Sequence, residues 1–77
     1  MRARLNPEKL LLSKWTARQV IAREKHFLVV KLLREQAPPG ELGAVAAVVL
    51  EAVLTKRQRT LQWLELTDSS LWIQGWQ

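Results

Sequence analysis

The sequence predicts one small, mainly β domain, either an SH3-like barrel or a strongly bent antiparallel sheet, with a short helical turn at its N-terminus. Three observations lead to this fold class. Residues 26–33 are rich in β-branched and aromatic side chains, a Pro-Pro-Gly sequence at residues 38–40 marks a loop, and residues 61–63 alternate apolar and polar side chains. The length of 77 residues fits a single domain, residues 1–77, with a thin margin of stability.

The N-terminal segment begins with a helix signal. Asn6 followed by Pro7 is typical of an N-cap and a first helical position, so we expect one helical turn over residues 8–12. The polar Ser13 ends this turn, and an extended segment follows. Residues 18–24 are ambiguous, because their side chains tolerate a helix while no stop signal is present.

Residues 26–33 are the firmest predicted strand. Apart from Lys31 this run is apolar on both faces, which is typical of a central strand or of a strand in a tightly rolled barrel. The polar residues that follow, together with the Pro-Pro-Gly sequence, form a loop over residues 34–40.

Residues 43–56 carry two conflicting signals. Their alanines and leucines favour a helix, whereas their valines favour a strand. With a period of two, Val45, Val49 and Val53 share one face of such a strand. The pattern alone supports helix and strand equally.

A strand over residues 43–56 would form a hairpin with residues 59–66. The hairpin tip, residues 56–59, contains no Asn-Gly or Asp-Gly, which indicates a longer, exposed and basic loop rather than a tight turn. Turn-forming side chains at residues 67–70 then precede a short closing segment over residues 72–76.

The charge balance favours an anionic partner. Twelve Lys and Arg against seven Asp and Glu give a net charge of +5, which suits RNA or another anion and is equally compatible with a role in solubility alone. The cations fall into an N-terminal arm and the hairpin tip. The candidate nucleic-acid-binding residues are Lys56, Arg57, Arg59, Arg2, Arg4 and Lys14.

The tryptophans are the main large side chains available for a core. The chain has four tryptophans, one phenylalanine and no tyrosine, so we expect Trp15 and Trp63 to be buried. Trp72 and Trp76 lie near the end of the sequence, where a place in the core and a place at a protein interface are equally open. These two are the candidate protein-interface residues.

No set of residues forms an active site. With no cysteine and one histidine, thiolate zinc sites and histidine clusters are excluded. His26 has no nucleophile or carboxylate at a telling spacing, and Glu51 and Glu65 fit salt bridges across a sheet better than acid–base catalysis. The sequence therefore predicts a protein that is not an enzyme, with no catalytic residue, no cofactor and no metal.

The apolar runs are short. Residues 10–12 are too few for a signal peptide, and residues 44–50, the longest apolar run, are too few for a membrane span. We therefore expect a cytoplasmic protein.

Nearly the whole chain resembles a family of short bacterial tryptophan-rich proteins, common in cyanobacteria, that is described as a domain of unknown function. The resemblance implies a mainly β fold, suggests a connection between two strands at residues 18–24, favours a strand over residues 43–56, and implies no reaction. The matching residues are Asn6-Pro7, Lys9-Leu10-Leu11, Ser13-Lys14-Trp15-Thr16-Ala17, Glu24-Lys25-His26-Phe27-Leu28-Val29, Leu50-Glu51-Ala52-Val53, Lys56-Arg57, Trp63, Glu65-Leu66, Trp72 and Gly75-Trp76.

These observations lead to two hypotheses about function. The first is a non-catalytic binding module that contacts nucleic acid, in particular RNA, through the basic tip and arm. The second is an accessory subunit that docks on a protein partner through Trp72 and Trp76. The sequence does not identify the partner or the oligomeric state.

Overall fold

Five antiparallel strands form one sheet in residues 5–77, the part of the chain that the computed structural model describes. The strands are β1 (Lys14–Ile21), β2 (Glu24–Arg34), β3 (Val45–Ala52), β4 (Gln58–Gln62) and β5 (Trp72–Gln74). Their spatial order is β4-β3-β2-β1-β5, so the predicted mainly β fold is confirmed.

The sheet is open, and the barrel alternative is wrong. Strand β4 ends at Gln62, and a 3-10 helix, Trp63–Thr67, then carries the chain away from β4. Because of this crossing, β5 pairs with β1 at the opposite edge of the sheet and makes no ladder with β4. The predicted strand to residue 66 is therefore too long, because β4 ends at Gln62.

The N-terminal segment contains the predicted cap. The Asn6 side chain accepts a hydrogen bond from the backbone N–H of Glu8 at 3.0 Å, and a 3-10 helix follows over Pro7–Lys9. This helix is shorter than the predicted turn. Leu10, which comes directly after it, is buried in the core.

A tight turn at Ala22 and Arg23 joins β1 to β2, in the segment that the sequence left ambiguous. Both residues have positive φ angles, 54° and 65° respectively. Two-residue hairpin turns of this kind favour Asn-Gly or Asp-Gly, and a residue with a side chain costs about 1–2 kcal/mol in this conformation. The turn carried no recognisable sequence signal because neither of its residues is Gly, Asn or Asp.

Within residues 43–56, strand β3 covers Val45–Ala52, so the strand interpretation is confirmed over a shorter range, but the predicted face is wrong. Leu33 pairs with Ala47 and Arg34 pairs with Val45, which leaves Ala46 as an extra residue on β3. A β-bulge of this kind reverses the alternation of side chains. As a result Val45 and Val48 are buried, whereas Val49 is only half-buried.

One face of the sheet, the core face, carries the hydrophobic core. Trp15 and Phe27 are each 1% exposed, and Trp72 packs edge-on against Phe27 with a ring separation of 5.4 Å. Trp63 is half-buried against this core. The core residues are Leu10, Trp15, Ala17, Phe27, Val29, Val48, Leu50, Ala52, Leu61, Leu66 and Trp72.

The last residues of the chain lie on the opposite, outer face of the sheet. Thr16 points to this face, donates a hydrogen bond to the carbonyl of Gly75 at 2.7 Å and accepts one from the N–H of Gln77 at 2.9 Å. The indole N–H of Trp76 donates to the carbonyl of Phe27 at 3.0 Å. These bonds hold Trp76 on the sheet and leave Thr16 only 2% exposed.

Candidate nucleic-acid interface

The two hairpin turns of the sheet lie side by side at one end of the molecule. The Glu24 carboxylate beside the first turn accepts a hydrogen bond from the Thr55 hydroxyl in the second turn. Its Oε2 also lies 3.9 Å from the Nε of Arg57. We call this end the basic end and define it by its four cations, which are Arg23, Lys25, Lys56 and Arg57.

Two of these cations occupy strained backbone positions. Arg23 has φ 65° in the first turn, and Lys56 has φ 66° in the second. Glycine or asparagine adopts this left-handed conformation at lower cost than a long side chain does. Each turn therefore presents a cation at a position where glycine or asparagine would be less strained.

A cleft of about 300 Å³ separates the two turns. Val53 is 38% exposed and Leu54 is 67% exposed, so the cleft offers an apolar surface with cations around it. We call it the turn cleft, and its lining residues are Arg23, Lys25, His26, Val53 and Leu54.

An exposed aromatic ring adjoins the turn cleft on the outer face. The Trp76 ring lies 6.0 Å from the His26 ring, and Trp76 is 42% exposed. The ammonium of Lys14 stands 4.7 Å from the centre of the Trp76 ring, which is within cation–π range. The turn cleft and Trp76 thus share His26 as a common wall.

Few carboxylates neutralise the basic end. Among residues 5–77 the ion pairs are Arg34–Glu8 and Arg57–Glu24. The Arg57 side chain in the second pair is 73% exposed, so solvent screens that attraction. Arg23 and Lys56 have no ion pair within the described part of the chain, and their positive charge is available to a ligand.

The predicted nucleic-acid-binding residues do not lie together in the structure. Lys56 and Arg57 are exposed at the second turn, and Lys14 lies on the outer face beside Trp76. Arg59 lies in β4 opposite the buried Leu50, so its side chain is on the core face rather than at the tip. Arg2 and Arg4 lie outside the described residues.

The structure also answers the question left open for the last two tryptophans. Trp72 is 6% exposed and belongs to the core, whereas Trp76 is 42% exposed. Sequence reasoning missed Arg23 and Lys25 at the basic end. The resemblance suggested a connection between two strands at residues 18–24, but the absence of turn-forming residues left the shape of that loop unpredicted.

Other kinds of site have little support in the described part of the chain. No group of three or more metal-ligating side chains comes together within residues 5–77. The same residues contain no helix of the length and apolar character that crossing a bilayer requires.

Fold and site together define a small all-β domain, rich in tryptophan, with a cationic end and one exposed indole ring. The family model described as tryptophan-rich protein (DUF2389) matches residues 13–77. The chain therefore belongs to this family, a domain of unknown function, and the resemblance found in the sequence is confirmed. No curated protein and no solved structure matches the chain.

Proposed function

We propose that this protein is a non-catalytic, cytoplasmic module that binds single-stranded RNA at the basic end. The observation that carries the proposal is the placement of Arg23 and Lys56. Each occupies a left-handed backbone position, and the two turns that hold them lie together. Backbone strain clusters at functional sites, which supports a role in binding for these two residues.

The surroundings of these cations favour RNA over a purely ionic partner. Proteins that bind single strands combine cations along the backbone with aromatic rings on which bases stack. Here the exposed ring of Trp76 lies beside His26, which also lines the turn cleft. A strand crossing from Lys56 to Lys14 would place phosphates on the cations and bases on the turn cleft and the indole.

The test uses a variant in which stability and binding should change in opposite directions. Replacing Arg23 and Lys56 together by glycine removes two cations and relieves two strained positions. After the added chain entropy of glycine, each change should stabilise the fold by about 0.5–1 kcal/mol. Each lost phosphate contact should flatten the slope of log affinity against log salt by about 0.7, or about 1.4 for both.

The measurements are thermal unfolding and fluorescence titration of a mixed-sequence RNA oligomer at several salt concentrations. Ala22→Asn is the control for turn strain, because it should stabilise the fold and leave the salt slope unchanged. Lys9→Gln is the control for net charge, since Lys9 adjoins Glu8, which pairs with Arg34 at the end of β2 away from the first turn.

Two results would contradict the proposal. If the wild-type protein does not bind RNA at low salt, the RNA proposal is wrong and docking on a protein through Trp76 takes its place. If the glycine variant binds RNA with the wild-type slope while Lys9→Gln flattens it, the RNA site lies elsewhere on the chain.

A further inference from the structure

A second cleft lies on the core face, away from the turn cleft. It has a volume of about 180 Å³, below the roughly 300–1,000 Å³ of drug-sized pockets, so it suits a small molecule. Strand β1 forms one side, and β4 with the 3-10 helix Trp63–Thr67 forms the other. We call it the core-face cleft, and its lining residues are Ala17, Gln19, Ile21, Arg59, Glu65, Leu71 and Trp72.

Aromatic rings position the Arg59 guanidinium in this cleft. Its central carbon lies 5.5 Å from the centre of the Trp72 ring and 5.8 Å from that of Phe27. Both distances are within cation–π range, and the two rings are themselves packed in the core. Arg59 makes no ion pair within residues 5–77, so its N–H groups remain available to a ligand.

Glu65 supplies a negative charge to the same cleft. Its backbone carbonyl accepts a hydrogen bond from Asp68 at 3.1 Å, and its carboxylate has no ion pair in the described part of the chain. Arg59 and Glu65 thus line one small cleft without neutralising each other. The space between them is suited to a ligand that carries both a carboxylate and an ammonium.

Two exposed apolar side chains in the cleft indicate a third feature of the ligand, an apolar group. Ile21 is 60% exposed and Leu71 is 45% exposed, and both line the core-face cleft. We propose that the core-face cleft binds an α-amino acid with an apolar side chain. The Arg59 fork binds the carboxylate in two-pronged fashion, Glu65 binds the ammonium, and Ile21 with Leu71 covers the side chain.

The experiment titrates the isotope-labelled protein with leucine, N-acetyl-leucine and leucinamide and follows backbone amide shifts. Leucine at millimolar concentration should shift amides around the core-face cleft. Each analogue lacks one charge and should bind about tenfold or more weakly, because a charged group in the cleft is left unpaired. Absence of leucine-dependent shifts at this cleft, or equal binding of all three compounds, would overturn the proposal.

Variants of Glu65 and Arg59 test which residue binds the ammonium of leucine and which binds its carboxylate. Glu65→Gln should remove the preference for leucine over N-acetyl-leucine, and Glu41→Gln, an exposed carboxylate in the loop before β3, should retain it. Arg59→Lys keeps the positive charge and loses the two-pronged contact, so it should weaken leucine binding and spare the fold. If Glu65→Gln retains the full preference, the ammonium is bound elsewhere and the assignment is wrong. RNA binding at the basic end should not change in either cleft variant.

Discussion

The two ends of the sheet differ in how their charged side chains and backbone groups are bonded. At the end that we call the tied end, Arg34 donates hydrogen bonds to both carboxylate oxygens of Glu8 and to the carbonyl of Gly43. The backbone N–H of Glu35 also bonds to the carbonyl of Ala44 at 2.8 Å. The basic end instead has strained turns and two cations, Arg23 and Lys56, that make no ion pair within residues 5–77, so the two ends differ in how far their charged side chains are paired.

The largest expected effect comes from Gly43→Ala at the tied end. A methyl group there would lie 1.7 Å from the carbonyl oxygen of Glu35, and a backbone atom cannot move aside easily. We expect a loss of more than about 3 kcal/mol, beyond ordinary overpacking and a large share of the stability of a small domain. Urea unfolding measures the change.

Gly40→Ala is the matched control. Gly40 has φ 84°, and a methyl group there would meet no atom within 4 Å. This change should therefore cost only the conformational strain, about 1–2 kcal/mol. If the two variants lose equal stability, the close approach of Gly43 to Glu35 adds no cost of its own to the substitution.

A smaller effect is expected for Trp63→Ala. Removal of a fully buried tryptophan costs about 3–5 kcal/mol, and this value applies to Trp15, which is 1% exposed. Trp63 is half-buried, so about half that cost is expected. Thermal unfolding of both alanine variants tests the order, and a greater loss for Trp63 would contradict the burial of the two rings.

The smallest effect is the pH dependence of the tied end. Hydrogen bonding from Arg34 lowers the pKa of Glu8 below its ordinary value of 4.5. A lowered pKa means that the stabilisation is present above the ordinary pKa and is lost as the pH falls through the lower folded value. Wild type should therefore exceed Glu8→Gln in melting temperature at neutral pH, and the difference should shrink in acid. A difference that grows on acidification would reverse the sign of this linkage.

Local residue chemistry was enough to predict strand β2 and the N-terminal cap, whereas the family resemblance was needed to favour a strand over residues 43–56. The apolar run within β2 identified a central strand, and Asn6 with Pro7 identified the first helix. The bulge at Ala46 was not predictable, because a bulge of this kind has no fixed sequence signal. The turn at Ala22 was expected only as a connection between strands from the family resemblance, because it contains no glycine, asparagine or aspartate.

The site was predictable only in part, for a related reason. Lys56 and Arg57 are neighbours in sequence and could be grouped directly. Arg23 joins them only through the contact between Glu24 and Thr55, which are far apart in the chain. Arg59 was grouped with the tip because the start of β4 was placed a residue too late, at Arg59 instead of Gln58.

The strand order has a consequence for aggregation. Residues 27–33, which are apolar apart from Lys31 and prone to β structure, would template the addition of other chains if they formed a sheet edge. They lie in β2, which pairs with β3 along this segment and with β1 as far as Leu28, while the edge strands are β5, three residues long, and the largely polar β4. The strand best suited to amyloid-like stacking is therefore not an edge strand of the sheet.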